Sequence, residues 1–439
     1  MNRITVDYTK THQEIDGFGV HGAFHQARNL RRYPEADRQR VLDVLFSTEG
    51  DGAGFSVIRN IIGDSGVWGN EKDGPIPSIE PQRGEVNMEG DEDQLWFMRE
   101  AQKRGCQRFV STAWSPPAWM KTTGEVANGG SLKAACYADF AEYLARYVKI
   151  YREHHGIDIY AVSPANEPDL KIHYSSCVWS GDQLCDFYKN YLGPVFAREK
   201  VPAKTFGPEL IKFGNASLKR YEALLLDPDA MAALDILAIH GYEDSVIEPI
   251  DPAYSHGKKV WMSEVCGIGP EDRKELDPSI EDGLAVAKKV HEYLTVAGAS
   301  AFLYFWGMTL YPNNSALIHM NLDDLTTTIC KRAYTIGHFS RFVRPGSVRV
   351  EAACDAPDGV FASAYRGADG EAVVVVINTG CNDANLSLAF EGAAPASLTA
   401  YVTNRERNLH RQDHPIPVAG NHAQVAMAAN SIMTFTGEL

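Results

Sequence analysis

Between residues 15 and 340, short apolar runs alternate with longer stretches whose apolar residues recur at helical spacing. Eight runs read as buried strands: residues 15–22, 55–63, 108–114, 157–167, 203–209, 234–242, 258–265 and 301–307. Amphipathic helices are predicted between them over 36–47, 91–105, 136–154, 180–192, 279–298 and 324–343. The 91–105 segment opens on acids and closes at Gly105, as helix-dipole and C-cap chemistry prefer. Ser180 is an N-cap candidate for the fourth helix. Eight alternating strand–helix units predict an α/β fold, a (β/α)8 TIM barrel. An open doubly wound sheet fits less well. The strand count is high, and no glycine-rich phosphate turn follows the first strand.

After Arg344-Pro345-Gly346 the helical period vanishes and short alternating runs take over. These predict a side β-sandwich. The opening run RITVDYT (3–9) also reads as a strand and is expected to join that sandwich. The expected organisation is a catalytic barrel over 15–343 and a sandwich formed by 1–14 with 344–439.

Polar residues interrupt this pattern where strands end. Asn166-Glu167-Pro168 follows the fourth strand, and Pro168 bars its continuation. Glu264, in WMSEV, ends the seventh. Strands four and seven face one another across a barrel mouth, where TIM-barrel chemistry sits. Two carboxylates about 5–5.5 Å apart support double displacement at a glycosidic bond. Glu167 is read as acid/base and Glu264 as nucleophile. Asn166 is expected to donate to a sugar 2-hydroxyl, His240 and Tyr242 to orient Glu264, and Arg59 to hold it ionised. Each residue alone has a plainer reading: a surface or capping glutamate, a structural ion pair at Arg59, a core histidine at His240. The conjunction on strands four and seven favours catalysis.

Sugar rings present apolar C–H faces that stack on aromatics. Trp68, Trp114, Trp119 and Trp306 are candidate substrate walls, with Trp179 in the same group. Trp261, in mid-strand, and Trp96, on a helix, are expected in the core.

Composition narrows the partners. The chain has 439 residues, a net charge of -15 and no long basic run, which argues against nucleic acid or an anionic membrane. No stretch approaches the ~20 apolar residues of a membrane span. Eight cysteines without a CxxC pair suggest no disulfide framework, and a Cys177–Cys185 bond is the weaker alternative. MNRITVDYTK lacks an apolar signal region. The expectation is a cytoplasmic protein, or a secreted one if the numbered chain is a trimmed mature form. His21, His25, His154 and His155 lack ligand spacing, so neither metal nor cofactor is expected. His21, Gln26 and Arg28 are read instead as substrate-loop residues. The expected partner is a polysaccharide or oligosaccharide, and oligomeric state is not legible.

EIDGFGVHGAF, STAWSPPAWMK, SPANEPD, WMSEV and YTIGHFSRFVRPG together resemble glycoside hydrolase family 30 over nearly the whole chain from Ile15. The resemblance implies a (β/α)8 barrel with a side sandwich and a retaining mechanism, with Glu167 as acid/base and Glu264 as nucleophile. WSPPAWMKTTGEVANGGSLK and NEPDLKIHYSSCVWSGDQLCDFY resemble the xylan-active branches. They imply an endo-xylanase or a xylobiose-releasing exo-xylanase acting on β-1,4-xylan. Related glucuronoxylanases grip glucuronate with an arginine after strand eight. Here that loop, MTLYPNNSALIHMNLDD, has neither Arg nor Lys. Arg28, Arg31 and Arg32 are the alternative candidates for a glucuronate or a chain end. Competing readings are a retaining β-glucosidase of the same family (β-1,6-glucanase or glucosylceramidase-like) and a non-catalytic carbohydrate-binding protein.

Overall fold

The structure is a computed structural model that describes residues 2–22, 24–67, 74–267 and 275–439. Its first strand, β1 (Arg3–Glu14), belongs to a sheet completed only by the C-terminal part of the chain. Eight parallel strands then follow: β2 (Gly17–His21), β3 (Val57–Ile62), β4 (Arg108–Ala113), β5 (Ile159–Ser163), β6 (Lys204–Leu210), β7 (Ile236–His240), β8 (Lys259–Val265) and β9 (Ala301–Thr309). They pair in sequence order, and β9 hydrogen-bonds both β8 and β2. This is the closed (β/α)8 barrel expected from the alternation.

Side chains alternate across the barrel wall. Val57, Val110, Ala161, Phe206, Ala238, Trp261 and Leu303 fill the interior. Their neighbours Ile58, Phe109, Val162, Leu237, Met262 and Phe302 face the helices. Trp261 is core, as expected, and its Nε1 donates to Asp16 Oδ2 at 2.9 Å. Asp16 also takes Arg108 and Lys259, both at 2.9 Å, which ties the strand starts together opposite the catalytic end. Trp96 is only half-buried, with Arg31 over its ring.

Three element boundaries differ from expectation. Helix 324–343 is shorter, Lys331–Ser340, because Thr326–Ile329 forms β11, antiparallel to β10 (Ala316–Asn321). Thr326-Thr327-Thr328-Ile329 is a β-branched run, which favours a strand over a helix. β10 pairs with β9 and so stands at the barrel rim. The helix read over 180–192 starts in a capping box, Ser180 with Gln183, and runs through a π-turn into Gly193–Glu199. The fourth barrel strand stops at Ser163, since Pro164 offers no ladder donor; Asn166 and Glu167 lie in the loop beyond it.

The side domain is a curled sheet of ten strands: nine follow one hydrogen-bonded path, and the tenth, Ile416–Pro417, pairs with Ser397–Thr403 beside it. β1 sits inside it, antiparallel to Val348–Asp355 and parallel to Ala384–Glu391. Ile4, Val6, Val374, Leu388 and Phe435 cluster on one face. Val373, Val375, Ile377 and Ile432 on the other join the barrel's own core, against helices Ile280–Thr295 and Lys331–Ser340.

His338 rivets this junction. It is fully buried, with Nδ1 2.8 Å from Thr434 Oγ1 and Nε2 2.9 Å from Thr403 Oγ1. Burial pushes its imidazole down to about 3. An unfolded histidine titrates near ~6.5. The folded state therefore resists a proton that the unfolded state accepts. The stability from this group is full above about pH 6.5 and falls as pH drops towards 3. Wild type is expected to lose about 2 kcal/mol from this residue between pH 7 and pH 5. Urea midpoints read at both pH values will show the loss, and His338→Gln will lack that share of it. Equal acid sensitivity in wild type and variant would remove His338 as its cause.

Candidate active site

The C-terminal ends of the barrel strands gather three glutamates, one arginine and one histidine, all nearly or wholly buried. Glu264 projects from β8, Arg59 from β3 and His240 from the end of β7. Glu167 comes from the loop after β5. The group the sequence reading missed is Glu209, near the end of β6, fully buried.

Glu167, His240 and Glu264 each offer an atom to a common point; these atoms lie within 4.8 Å of one another. The two carboxylates are therefore held face to face, in the range of about 5 Å used for double displacement. Glu264 takes two donors. Arg59 Nη1 reaches its Oε2 at 2.5 Å, and the Tyr242 hydroxyl donates to its Oε1 at 3.0 Å. Burial pushes the Glu264 carboxyl up, and Glu167 and Glu209 add to this; the charges of His240 and Arg59 pull it down. Two strong donors on its two oxygens are an arrangement that only the carboxylate form uses fully. Burial pushes the Tyr242 phenol up, so it stays a donor.

His240 does not orient Glu264 as expected. Its Nδ1 lies 3.0 Å from Glu167 Oε1, while Glu264 is 3.9 Å from Nε2. The ring at the end of β7 faces the loop after β5 more closely than it faces β8. Burial pulls the imidazole down, but the charges of Glu264, Glu167 and Glu209 outweigh it and carry it to about 9. His240 is an imidazolium at neutral pH, donating to Glu167.

Arg59 is expected beside the substrate, holding the nucleophile ionised, and it does bond Glu264. It is fully buried, and its donors are spent within the protein. Nε bonds Thr112 Oγ1 at 3.1 Å, Nη2 bonds Asn166 Oδ1 at 2.9 Å, and Nη2 pairs with Glu209 at 2.8 Å. It positions Glu264, Asn166 and Glu209. The bond to Asn166 fixes that amide with its oxygen towards Arg59, leaving Nδ2 as the end that can donate. His21, read as a loop residue, is buried beside Arg59 with Nδ1 3.4 Å from Nη1. Burial and the Arg59 and His240 charges push it well down, so it is neutral.

The aromatic candidates divide. Trp114 lies under Arg59, with Cζ 4.6 Å from the ring centroid, and meets Phe24 edge-on at 5.1 Å. Trp306 stacks at a tilt on Phe24 and Phe305, at 5.7 and 4.4 Å. Both rings are at most 4% exposed, so they form the packed base of the mouth. Tyr311, 43% exposed, extends this wall outward from Trp306. Tyr174, packed on the same cluster, feels the charges of both Glu167 and Glu264 and was not foreseen. Trp119 is drawn elsewhere: its Nε1 donates to the Glu80 carbonyl at 3.2 Å and Arg83 covers its ring. Among the described residues no contact joins it to the carboxylates. Trp179 is core, packed among Tyr137, Phe140 and Phe187. Trp68 lies outside the described residues.

The arginines considered for glucuronate are partly committed. Arg28 and Arg31 pair with Asp93 at 2.7 and 2.8 Å, and Arg31 also pairs with Glu92 at 3.0 Å. Gln26 Nε2 donates to the Phe24 carbonyl at 3.1 Å, inside its own loop. Cys177 and Cys185 are free thiols.

Glu209 had one signal in the sequence. It ends the fifth apolar run, AKTFGPE, in the position that Glu167 and Glu264 hold in theirs. Thr112 had none, because a threonine inside a strand looks like any other β-former.

Residues 15–311 match the profile described as glycosyl hydrolase family 59, and residues 346–435 match the glycosyl hydrolase family 30 beta sandwich domain. The sequence is 29% identical over 345 residues to the glucuronoxylanase XynC of Bacillus subtilis (strain 168), covering 77% of this chain and 75% of that one. It is 24% identical to putative glucosylceramidase 4 of Caenorhabditis elegans, covering 86% and 76%. The fold superposes on the catalytic domain of GH30 xylanase C from Talaromyces cellulolyticus with a TM-score of 0.82 at 26% identity, covering both chains completely. The GH30 subfamily 8 xylanase Xyn30A from Clostridium acetobutylicum gives 0.80 at 27%, again over all of both chains.

Proposed function

Because the chain belongs to the glycoside hydrolases, family 59 by its barrel profile and family 30 by its sandwich and its resemblance to family 30 xylanases, we propose that it hydrolyses β-1,4-xylan or xylo-oligosaccharides with retention of configuration. One observation carries this reading: Glu167 and Glu264 face each other within 4.8 Å, each with its own cationic partner.

Glu264, held by Arg59 and Tyr242, attacks the anomeric carbon. Glu167 gives its proton to the leaving oxygen as the glycosidic bond breaks. The product of this half-reaction is a glycosyl ester on Glu264. Forming it removes the negative charge beside Glu167. A carboxyl that loses a like-charged neighbour becomes more acidic, so Glu167 is then suited to deprotonate water as a base. Water attacks the anomeric carbon from the face the first leaving group left, and Glu264 departs as a carboxylate. Asn166 Nδ2 donates to the sugar 2-hydroxyl.

The loop after strand eight has neither Arg nor Lys, and Arg28 and Arg31 are paired within the protein, which leaves the exposed Arg32 as the candidate for glucuronate. Recognition of an unbranched xylan segment fits these facts better than a requirement for glucuronate. Digestion of glucuronoxylan and of linear xylo-oligosaccharides tests this. Both are expected to be cut, with xylobiose predominating for chain-end action and a ladder for endo action. Cleavage confined to sites beside glucuronate would reverse the preference. No product from any xylan would remove the substrate. The glucosylceramidase relatives support a second reading, a β-glucosidase. Xylose lacks the C5 hydroxymethyl group, so faster turnover of an aryl β-glucoside than of the aryl β-xyloside would favour it.

A further inference from the structure

Glu209 is the node on which the two halves of the site meet. Its Oε1 lies 2.8 Å from Arg59 Nη2 and 3.5 Å from His240 Nε2. Its Oε2 accepts from Thr112 Oγ1 at 2.9 Å. Its backbone carbonyl accepts the amide of Glu167 at 3.0 Å. Arg59 in turn holds Glu264, and His240 holds Glu167. Both glutamates at the ends of β6 and of the β5 loop have left-handed backbones, φ 56° at Glu209 and 45° at Glu167. Glutamate rarely adopts this region, and it persists where surrounding contacts over-determine it. Here each strained residue is clamped by the other.

On the catalytic reading above, we propose that Glu209 is a positioning residue. It aligns Arg59 on the nucleophile and supplies the counter-charge that keeps His240 cationic against the acid/base.

The charge argument takes in every group near the His240 ring: Glu167 from the β5 loop, Glu209 from β6, Glu264 from β8, Arg59 on β3, His21 on β2 and Tyr242 two residues on. Glu209 and Glu264 favour the imidazolium, as does Glu167 whenever it is a carboxylate, and Arg59 opposes it. Glu209 is itself held low: burial pushes it up, but Arg59 and His240 pull it down further. It is thus a permanent anion, whereas Glu167 and Glu264 both change charge during the reaction. One of that pair is neutral at each stage, Glu167 while it carries the acid proton and Glu264 while it carries the glycosyl group, so Glu209 is the anion that stays beside His240 throughout the cycle.

The test is Glu209→Gln in the full chain, which keeps the shape and removes the charge. Two readouts are taken: kcat and KM on an aryl β-xyloside, and the titration of His240 followed by NMR of 13Cε1-labelled histidine, assigned with His240→Gln. The expected result is a fall in kcat of about 100-fold with KM within threefold of wild type. The His240 midpoint is expected to move down from about 9. If that variant does not fold, Thr112→Val replaces it; it removes the hydroxyl that donates to Oε2 and accepts from Arg59 Nε, so it loosens the Glu209–Arg59 pair and should lower kcat about tenfold at constant KM. Wild-type kcat in the folded variant, or a His240 midpoint that does not move in Glu209→Gln, overturns the proposal. A wild-type enzyme that turns over no β-linked sugar overturns the functional reading instead, and the His240 titration still judges Glu209.

Discussion

Glu264→Ala is expected to lower turnover of every β-linked substrate by at least about four orders of magnitude, whatever the leaving group. The loss is that of a bond-forming group, so better leaving groups do not compensate. Only an added nucleophile does. Azide placed in the cavity left by the side chain attacks the anomeric carbon from the same face as Glu264, and an activated substrate then yields the inverted glycosyl azide. The neighbours make this a clean experiment in one respect. Arg59 keeps Thr112, Asn166 and Glu209 as partners, so it remains anchored when Glu264 is removed. Glycosyl fluoride hydrolysed by Glu264→Ala at the wild-type rate would show that another group attacks.

Glu167→Ala should behave differently. General acid–base assistance supplies about 10²–10⁴ in rate, and its weight depends on how poor the leaving group is. Natural oligosaccharides, with alkoxide leaving groups, should lose most of their turnover. Aryl glycosides with good leaving groups and glycosyl fluorides should still form the glycosyl-enzyme, which then accumulates because no base activates water. A burst of released phenol or fluoride reads that accumulation. Azide needs no base, so it relieves the block and gives the retained glycosyl azide. His240 adds one expectation: it loses its closest anion in this variant and should titrate lower than in wild type. Equal losses on fluoride and oligosaccharide substrates, with no azide product, would exchange or remove the role assigned to Glu167.

Much of this molecule can be read from the order of residues along the chain. Eight apolar runs separated by helical periods are enough for a closed parallel barrel, because a buried strand and its crossover helix must each hide an apolar face. Asn166-Glu167-Pro168 and Ser263-Glu264 stand out because a carboxylate at the end of an apolar run conflicts with its surroundings. The errors arose where local preference was not the deciding force. Thr326–Ile329 adjoins a helical period, yet β10 offers it an edge to pair with. Trp119 looked like Trp114, but one lies beneath Arg59 and the other beside Glu80.

Tertiary structure alone decided who touches whom at the barrel mouth. Sequence spacing cannot tell that His240 serves Glu167 and Tyr242 serves Glu264, because residues two apart at a strand end diverge with the twist and the loop that follows. Nor can it show that Arg59 has no donor left for a sugar, since burial and partners belong to the assembled barrel. The sequence by itself determined the fold class and the pair of carboxylates, because hydrophobic period and misplaced charge are local properties of the chain. The charge on each group was decided by the closed barrel, which brings Glu167, Glu209 and Glu264 from three strand ends around one imidazole, buried where charges are little screened.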